Sequence, residues 1–169
     1  MKAVSSFGFA EVLAFLIPGS VVLYSFSIEN EALSQLFGMS LAATSGFGVE
    51  LALVLLSIAC GVIVSAIRGS ILDNIQLQTG VDSGGALDFS KLKDEHTLNA
   101  FNAAIGNTYR FAQFYGNMAI AIIVYAVFES RHSGMSGLIF VLLLLFVILF
   151  WSHRSELANT YSTIGQILK

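Results

Sequence analysis

The sequence predicts an all-α fold: an integral membrane bundle of four transmembrane helices, with a cytoplasmic helical hairpin and an amphipathic C-terminal helix. Three observations support this prediction. Of the 169 residues, 56% are hydrophobic and only 11% are charged, whereas soluble domains have about 25% charged residues. The mean hydropathy is +0.79. Four stretches approach the length of roughly 20 apolar residues that crosses a bilayer.

The four predicted spans form one membrane domain over residues 1–169. The fourth contains "GLIFVLLLLFVILFW" and carries no charge. The first could instead be a signal peptide, but Glu11 interrupts its apolar run and no small-x-small cleavage site follows, so an uncleaved helix is favoured. The spans cover about residues 7–26, 47–67, 111–128 and 134–151.

Basic residues predict the orientation, because cytoplasmic loops carry more Lys and Arg than outer loops. If the N-terminus is cytoplasmic, Arg131 alone among the eight basic residues lies outside. We therefore expect a multi-pass membrane protein with both termini in the cytoplasm. The basic residues on the inner side are Lys2, Arg68, Lys91, Lys93, Arg110, Arg154 and Lys169.

Pro18 and Gly19 lie in the middle of the first predicted span, within "FLIPGSVVLY". Pro18 leaves the carbonyl of Ala14 without its helical N–H donor. A membrane helix tolerates this when a neighbouring helix supplies another donor. A packing kink, with a second helix against Gly19, is the favoured interpretation, and a hinge is the alternative.

Small residues recur at every fourth position of the second span. This pattern lets another helix backbone approach closely. The partner is either another helix of the same chain or the same helix of a neighbouring protomer, and the sequence does not separate the two. The residues are Ser57, Gly61, Ser65 and Gly69.

Charged residues near the ends of the spans are candidates for ion pairs. Glu11 lies about one turn inside the cytoplasmic boundary, where it can pair with Arg68 or Arg110. Snorkelling of each side chain to the headgroups is the favoured interpretation. Glu50 lies near the outer start of the second span, where it would form a cation-attracting ring if several copies surrounded an axis, or would simply face water.

Gln113 and Asn117 are polar residues within the third span. They are four residues apart and share one helix face. Amide side chains in membranes hydrogen-bond neighbouring helices, so a role in helix packing is favoured over the lining of a polar path.

The predicted cytoplasmic hairpin covers about residues 68–110. A helical extension of the second span ends at "TGVDSGG", and a second helix begins near Asp88 or Ser90 and continues towards the third span. The tail, 152–169, has an amphipathic stripe that can pack under the bundle, lie on the membrane or bind another protein. The stripe comprises Leu157, Tyr161, Ile164 and Leu168.

The sequence contains no motif of an enzyme or of a cofactor site. A single cysteine, Cys60, excludes an internal disulfide, and the three histidines share no metal-ligand spacing. No phosphate-binding loop, dinucleotide fingerprint or nucleophile elbow is present. The net charge of −3 argues against a nucleic-acid partner. We therefore expect no catalytic activity, metal or cofactor.

Three segments carry a resemblance to a known class of proteins: "LIPGSVVLY", "CGVIVSAIRGSILD" and "YRFAQFYGNMAIAI". They resemble small four-helix inner-membrane proteins of bacteria, some of which look like membrane components of anti-phage defence systems. The resemblance covers most of the chain through generic motifs and brings no catalytic residue. It implies an effector that disturbs the membrane or anchors a soluble sensor.

Three functions fit these features. The first is an oligomeric subunit that forms a pore or perturbs the inner membrane, which the small-residue pattern and the Pro18–Gly19 pair favour. The second is a non-catalytic anchor or scaffold that recruits a cytosolic protein through the hairpin and tail. The third is a small-solute transporter, which would need a dimer to build two repeats. Expected partners are the lipid bilayer, further copies of the chain and a cytosolic protein.

Overall fold

The computed structural model describes residues 9–41, 46–82 and 88–168, and all regular secondary structure within these ranges is helical. The prediction of an all-α fold is therefore confirmed. The helices are α1 (Phe9–Ser27), α2 (Glu31–Leu41), α3 (Phe47–Ile67), α4 (Asp73–Gln78), α5 (Glu95–Ala104), α6 (Arg110–Ser133) and α7 (Gly137–Leu168).

Three helical segments among the described residues are long and apolar enough to cross a membrane: Phe47–Gln78, Arg110–Ser133 and Gly137–Leu168. Two of them have 32 residues, which gives a length of about 48 Å. This exceeds the hydrocarbon thickness of about 30 Å, so each can continue well beyond it. The apolar part of α1, Val12–Ser27, is shorter than these three.

The helical extension of the second span and the continuation of the hairpin helix into the third span are both present, as the sequence predicted. α3 passes through a π-helical turn, Arg68–Leu72, into α4, and α5 passes through a second π-helical turn, Ile105–Tyr109, into α6. The tail is not a separate amphipathic helix, because α7 runs without a break to Leu168. "SHRSEL" contains neither Gly nor Pro to end the helix at that point.

The second helix of the hairpin begins later than predicted. Asp88 caps only a 3-10 turn, Phe89–Lys93, by accepting a hydrogen bond from the Ser90 N–H. α5 begins at Glu95, after Asp94 accepts hydrogen bonds from the N–H and the hydroxyl of Thr97 at 3.0 and 2.9 Å. Because Asp is a strong N-cap residue, "KDEHT" starts the helix at the second of the two aspartates.

The helices pack in the order α3–α1–α6–α7, with α2 against α1 and α3. We call residues 9–27, 47–67, 110–133 and 137–152 the apolar half, and residues 68–82, 88–109 and 153–168 the polar half. In the apolar half, Val22, Val64 and Ala121 join the first three helices of this row. Leu142 and Leu149 attach α7 to α6. The opposite faces of α3 and α7 are exposed and apolar.

Candidate functional site

A buried arginine at the end of α3 pairs with a carboxylate five residues later. In an α-helix, residues five apart lie about 140° apart around the axis, too far for this pairing. The π-helical turn between them removes the difference, since the Asp73 N–H donates to the Arg68 carbonyl with the five-residue spacing of a π-helix. Arg68 Nη1 lies 2.8 Å from Asp73 Oδ1 and 2.6 Å from Oδ2. Their side chains are 3% and 15% exposed.

His153 joins this pair from α7. Its Nε2 lies 3.0 Å from Asp73 Oδ1, and its Nδ1 lies 2.8 Å from the carbonyl oxygen of Ala112 in α6. Both neighbours are acceptors, so a ring nitrogen can donate to either of them only when it carries a proton. The ring is fully buried. Asp73 therefore lies between two basic side chains from different helices.

Tyr109 and Gly116 complete the surroundings of Arg68. Arg68 Nη2 donates to the Tyr109 hydroxyl at 3.4 Å, and the guanidinium carbon lies 5.8 Å from the centre of that ring, within cation–π range. A Cβ on Gly116 would lie 2.6 Å from Arg68 Cδ and 3.0 Å from His153 Nδ1. A side chain at position 116 of α6 would therefore collide with Arg68 and crowd His153.

A second set of hydrogen bonds ties α7 to the end of α4. Arg154 Nη1 donates to Gln76 Oε1 and to Thr79 Oγ1, and its Nη2 donates to the Thr79 carbonyl, each at 2.8 Å. Gln76 is fully buried, and its carbonyl accepts from the Val81 N–H at 3.0 Å. The Arg154 guanidinium therefore holds both the Gln76 side chain of α4 and the turn at Thr79 that follows this helix.

A polar cavity of about 450 Å³ adjoins these contacts, between the turn at Gly80 and the last turns of α7. Burial, and next the nearby Asp73 carboxylate, raise the pKa of the Tyr161 phenol in its wall. The cavity is within the size range of small-ligand sites, about 300–1,000 Å³. Its polar lining residues are Asp82, Arg154, Tyr161, Ser162 and Gln166.

The carbonyl that Pro18 leaves without a helical donor has a partner on another helix. Asn117 Nδ2 of α6 donates to the Ala14 oxygen at 2.9 Å. Pro18, Ala14 and Asn117 are all buried, and α1 continues through the proline to Ser27. This is the compensation that a proline in an apolar helix needs, and it gives Asn117 a role in packing within the chain.

The small-residue pattern of α3 is used in part, and by α1 of the same chain. A Cβ on Gly19 would collide with the backbone at Ser57 and Gly61, and a Cβ on Gly61 would collide with the backbone of Phe15. The two helices therefore touch backbone to backbone. The pattern does not extend further, since Ser65 is half-buried and a Cβ on Gly69 would meet no atom within 4 Å.

The other predicted site residues lie apart from the network. The side chain of Glu11 is outside the described residues, and Arg68 pairs with Asp73 where the sequence suggested Glu11. Arg110 is half-buried at an apolar cavity lined by Leu13 and Ile17. Glu50 is exposed in the first turn of α3. Gln113 is half-buried, one turn before Asn117.

Sequence reasoning missed the central members of the network. These members are Asp73, His153 and Arg154. Each lies within two turns of the end of an apolar run, and this position is the sequence feature that could have marked them as candidates. Their convergence was not visible, because it depends on a π-helical turn and on contacts about 80 residues apart in the chain, such as Asp73 with His153.

The contacts of Asp73 and His153 join α4, α6 and α7. Among the described residues, no group of three or more His, Cys, Asp and Glu side chains could hold a metal ion. The side chains of Arg68 and His153 are buried, and that of Asp73 is 15% exposed. Removal of one partner from a buried ion pair is strongly destabilising.

The comparisons with known proteins give no relative. No family model matches the chain, and no curated protein and no solved structure matches it. The resemblance to membrane components of defence systems stays a prediction.

Proposed function

We propose that this chain is a four-span inner-membrane protein whose cytoplasmic helices form a rigid mount for a soluble protein. The apolar half would lie in the bilayer and the polar half in the cytoplasm. Phe47 to Arg68 and Arg131 to Arg110 both cover about 20 residues, or about 30 Å of helix, which equals the hydrocarbon thickness. α1 would be the additional span, packed between α3 and α6.

The observation that carries the proposal is the continuity of the helices into a locked polar half. α3–α4, α5–α6 and α7 run on from the apolar half without a break. The Asp73–His153 and Arg154–Gln76 contacts then fix these extensions to one another. A protein that only filled membrane area would not need such a joint, whereas a mount would transmit position or force through it.

Site-specific photo-crosslinking in intact cells tests the mount. A crosslinking amino acid at Ser162 or Gln166, in the wall of the polar cavity, should yield an adduct with a soluble protein. The same probe at Val147, an exposed apolar position of α7, is the matched control and should not. Absence of adducts at both polar positions, or equal adducts at all three, would contradict the proposal.

Deletion of the tail is not a suitable test of the mount. Leu157, Thr160 and Leu168 are buried, and the Asp88 N–H donates to the Leu168 carbonyl. Removing residues 155–169 would therefore damage the polar half itself. Single substitutions at exposed positions separate loss of a partner from loss of the fold.

An oligomeric pore is the second proposal. The small-residue pattern supported a pore because it could form a contact between copies of the chain. In the structure, however, α1 of the same chain covers Ser57 and Gly61. The resemblance to defence components still implies membrane disturbance. Purified protein in liposomes would then release an enclosed dye and would have the mass of an oligomer in detergent. Intact liposomes and a monomer mass would rule this role out.

A further inference from the structure

Two cavities adjoin at the end of the apolar half that is far from the polar half. The cavity lined by Val21 and Leu142, called the lower part below, is about 480 Å³. The cavity lined by Ser27 and Glu129, called the upper part below, is about 510 Å³. Tyr24 and Phe37 line both, and their rings touch edge to face with centres 5.7 Å apart. The two cavities together make one cleft with two parts of different character.

The lower part suits a hydrocarbon chain. Its further lining residues include Val21 of α1, Ile122 of α6 and Leu142 of α7. α1 and α7 both pack on α6, and the lower part lies between them. In a bilayer, this position is next to the acyl chains, so a lipid tail can enter from the side.

The upper part is polar and contains a carboxylate. Its lining residues include Ser27, Ser34, Glu129 and His132. Glu129 Oε1 accepts one hydrogen bond, from the Ser133 hydroxyl at 2.6 Å. A carboxylate has room for about four acceptor contacts, so further donors can bind to it. The charge favours a cationic group over an anionic one.

The depth of Glu129 matches a headgroup position. It lies 19 residues from Arg110 along α6, which is about 28 Å. If Arg110 marks one side of the hydrocarbon layer of about 30 Å, Glu129 lies at the other side. The cleft thus runs from the headgroup level into the hydrocarbon, polar at one end and apolar at the other.

We propose that this cleft binds a phospholipid with an ammonium headgroup, such as phosphatidylethanolamine. One acyl chain occupies the lower part, and the ammonium donates to the Glu129 carboxylate, with the Ser27 and Ser34 hydroxyls nearby. The inference rests on the proposed membrane insertion. It goes beyond the mount, which concerns the opposite end of the molecule.

Native mass spectrometry of the full chain from nanodiscs tests the lipid site. The nanodiscs contain equal amounts of phosphatidylethanolamine and phosphatidylglycerol. The wild-type protein should retain phosphatidylethanolamine preferentially. Glu129→Gln should lower this preference about tenfold, since a hydrogen bond to a charged group contributes about that factor.

Two further variants separate the headgroup contact from general effects. Glu31→Gln removes an equal charge from an exposed residue of α2 outside both cavities, and it should leave the preference unchanged. Val21→Phe narrows the lower part and should reduce retention of both lipids. Equal retention of the two lipids by wild type, an unchanged ratio in Glu129→Gln, or an equal loss in Glu31→Gln would overturn the lipid site. If the protein inserts into nanodiscs and gives any of these results, the lipid site is wrong, but the proposed membrane insertion is still supported.

Discussion

The apolar and polar halves hold the same helices together by different means. In the apolar half, α1 and α3 touch backbone to backbone at Gly19 and Gly61, and small apolar side chains fill the remaining contacts with α6. In the polar half, Asp73 of α4 contacts Arg68 and His153, and Arg154 of α7 donates to Gln76 and Thr79. The helix contacts of the apolar half therefore depend on glycines, which have no side chain. Those of the polar half depend on long polar side chains.

The difference follows from the solvent that each half is proposed to meet. Hydrocarbon provides no hydrophobic force between helices, so close packing and a few hydrogen bonds must hold them. In contact with water, burial of apolar surface is favourable, and the Asp73–His153 contact adds a polar link between α4 and α7. The Asn117–Ala14 hydrogen bond is a polar contact between two helices of the apolar half, and it gives a donor to the carbonyl that Pro18 leaves without one.

The largest expected effect comes from Asp73→Asn. It removes the negative charge that pairs with the buried Arg68, which should lower the free energy of unfolding by about 3–5 kcal/mol. Denaturant titration in detergent, followed by circular dichroism, measures the change. Glu95→Gln, at an exposed position of α5, is the control and should be nearly neutral. A similar small effect of both variants would show that the polar half does not depend on the network.

Gly61→Ala should have the next largest effect. The added methyl group meets the backbone of Phe15, and overpacking of this kind costs about 1–3 kcal/mol. Gly69→Ala lies two turns along the same stripe in open space and should raise stability by up to about 1 kcal/mol, since Ala is the better helix former. Thermal unfolding of the purified variants compares them. Equal losses would mean that the whole stripe is a contact surface.

Asn117→Leu should lower stability by about 1–3 kcal/mol, because the Ala14 carbonyl becomes a buried acceptor without a donor. The variant also removes Asn117 Oδ1, which has no hydrogen-bond partner, so the lower end of this range is expected. A double-mutant cycle with Pro18→Ala sharpens the test, since the new N–H at position 18 can bond Ala14 directly. The loss at Asn117 should then shrink, and an undiminished loss would refute the compensation.

The smallest effect is expected for Arg154→Lys, about 1 kcal/mol. A lysine ammonium cannot reproduce the planar fork that binds Gln76 and Thr79 together. Arg131→Lys, at an exposed position of α6, should change nothing. Hydrogen exchange of the Val81 amide, which bonds to the Gln76 carbonyl, should speed up only in Arg154→Lys. Unchanged exchange there would separate Arg154 from the turn.

Much of the fold was predictable because it depends on local patterns. Apolar runs marked the long helices, and "TGVDSGG" marked the end of the α4 extension, which stops at Gln78. The stripe of Leu157 and Leu168 predicted a packed tail as one of three options, and both residues are buried. The start of α5 was wrong by several residues, because two aspartates compete as caps and only the hydrogen bonds to Thr97 decide between them.

The sequence by itself determined that this protein is helical and strongly apolar. It also determined that the Ala14 carbonyl, four residues before Pro18, needs a donor from elsewhere. These properties follow from composition, periodicity and the covalent structure of proline, which act within a few residues. Only the tertiary structure decided that Asn117 is this donor, that α1 covers Gly61, and that Asp73 meets His153. Such pairings depend on the distance between helices and on the π-helical turn at Arg68, and no local pattern specifies either.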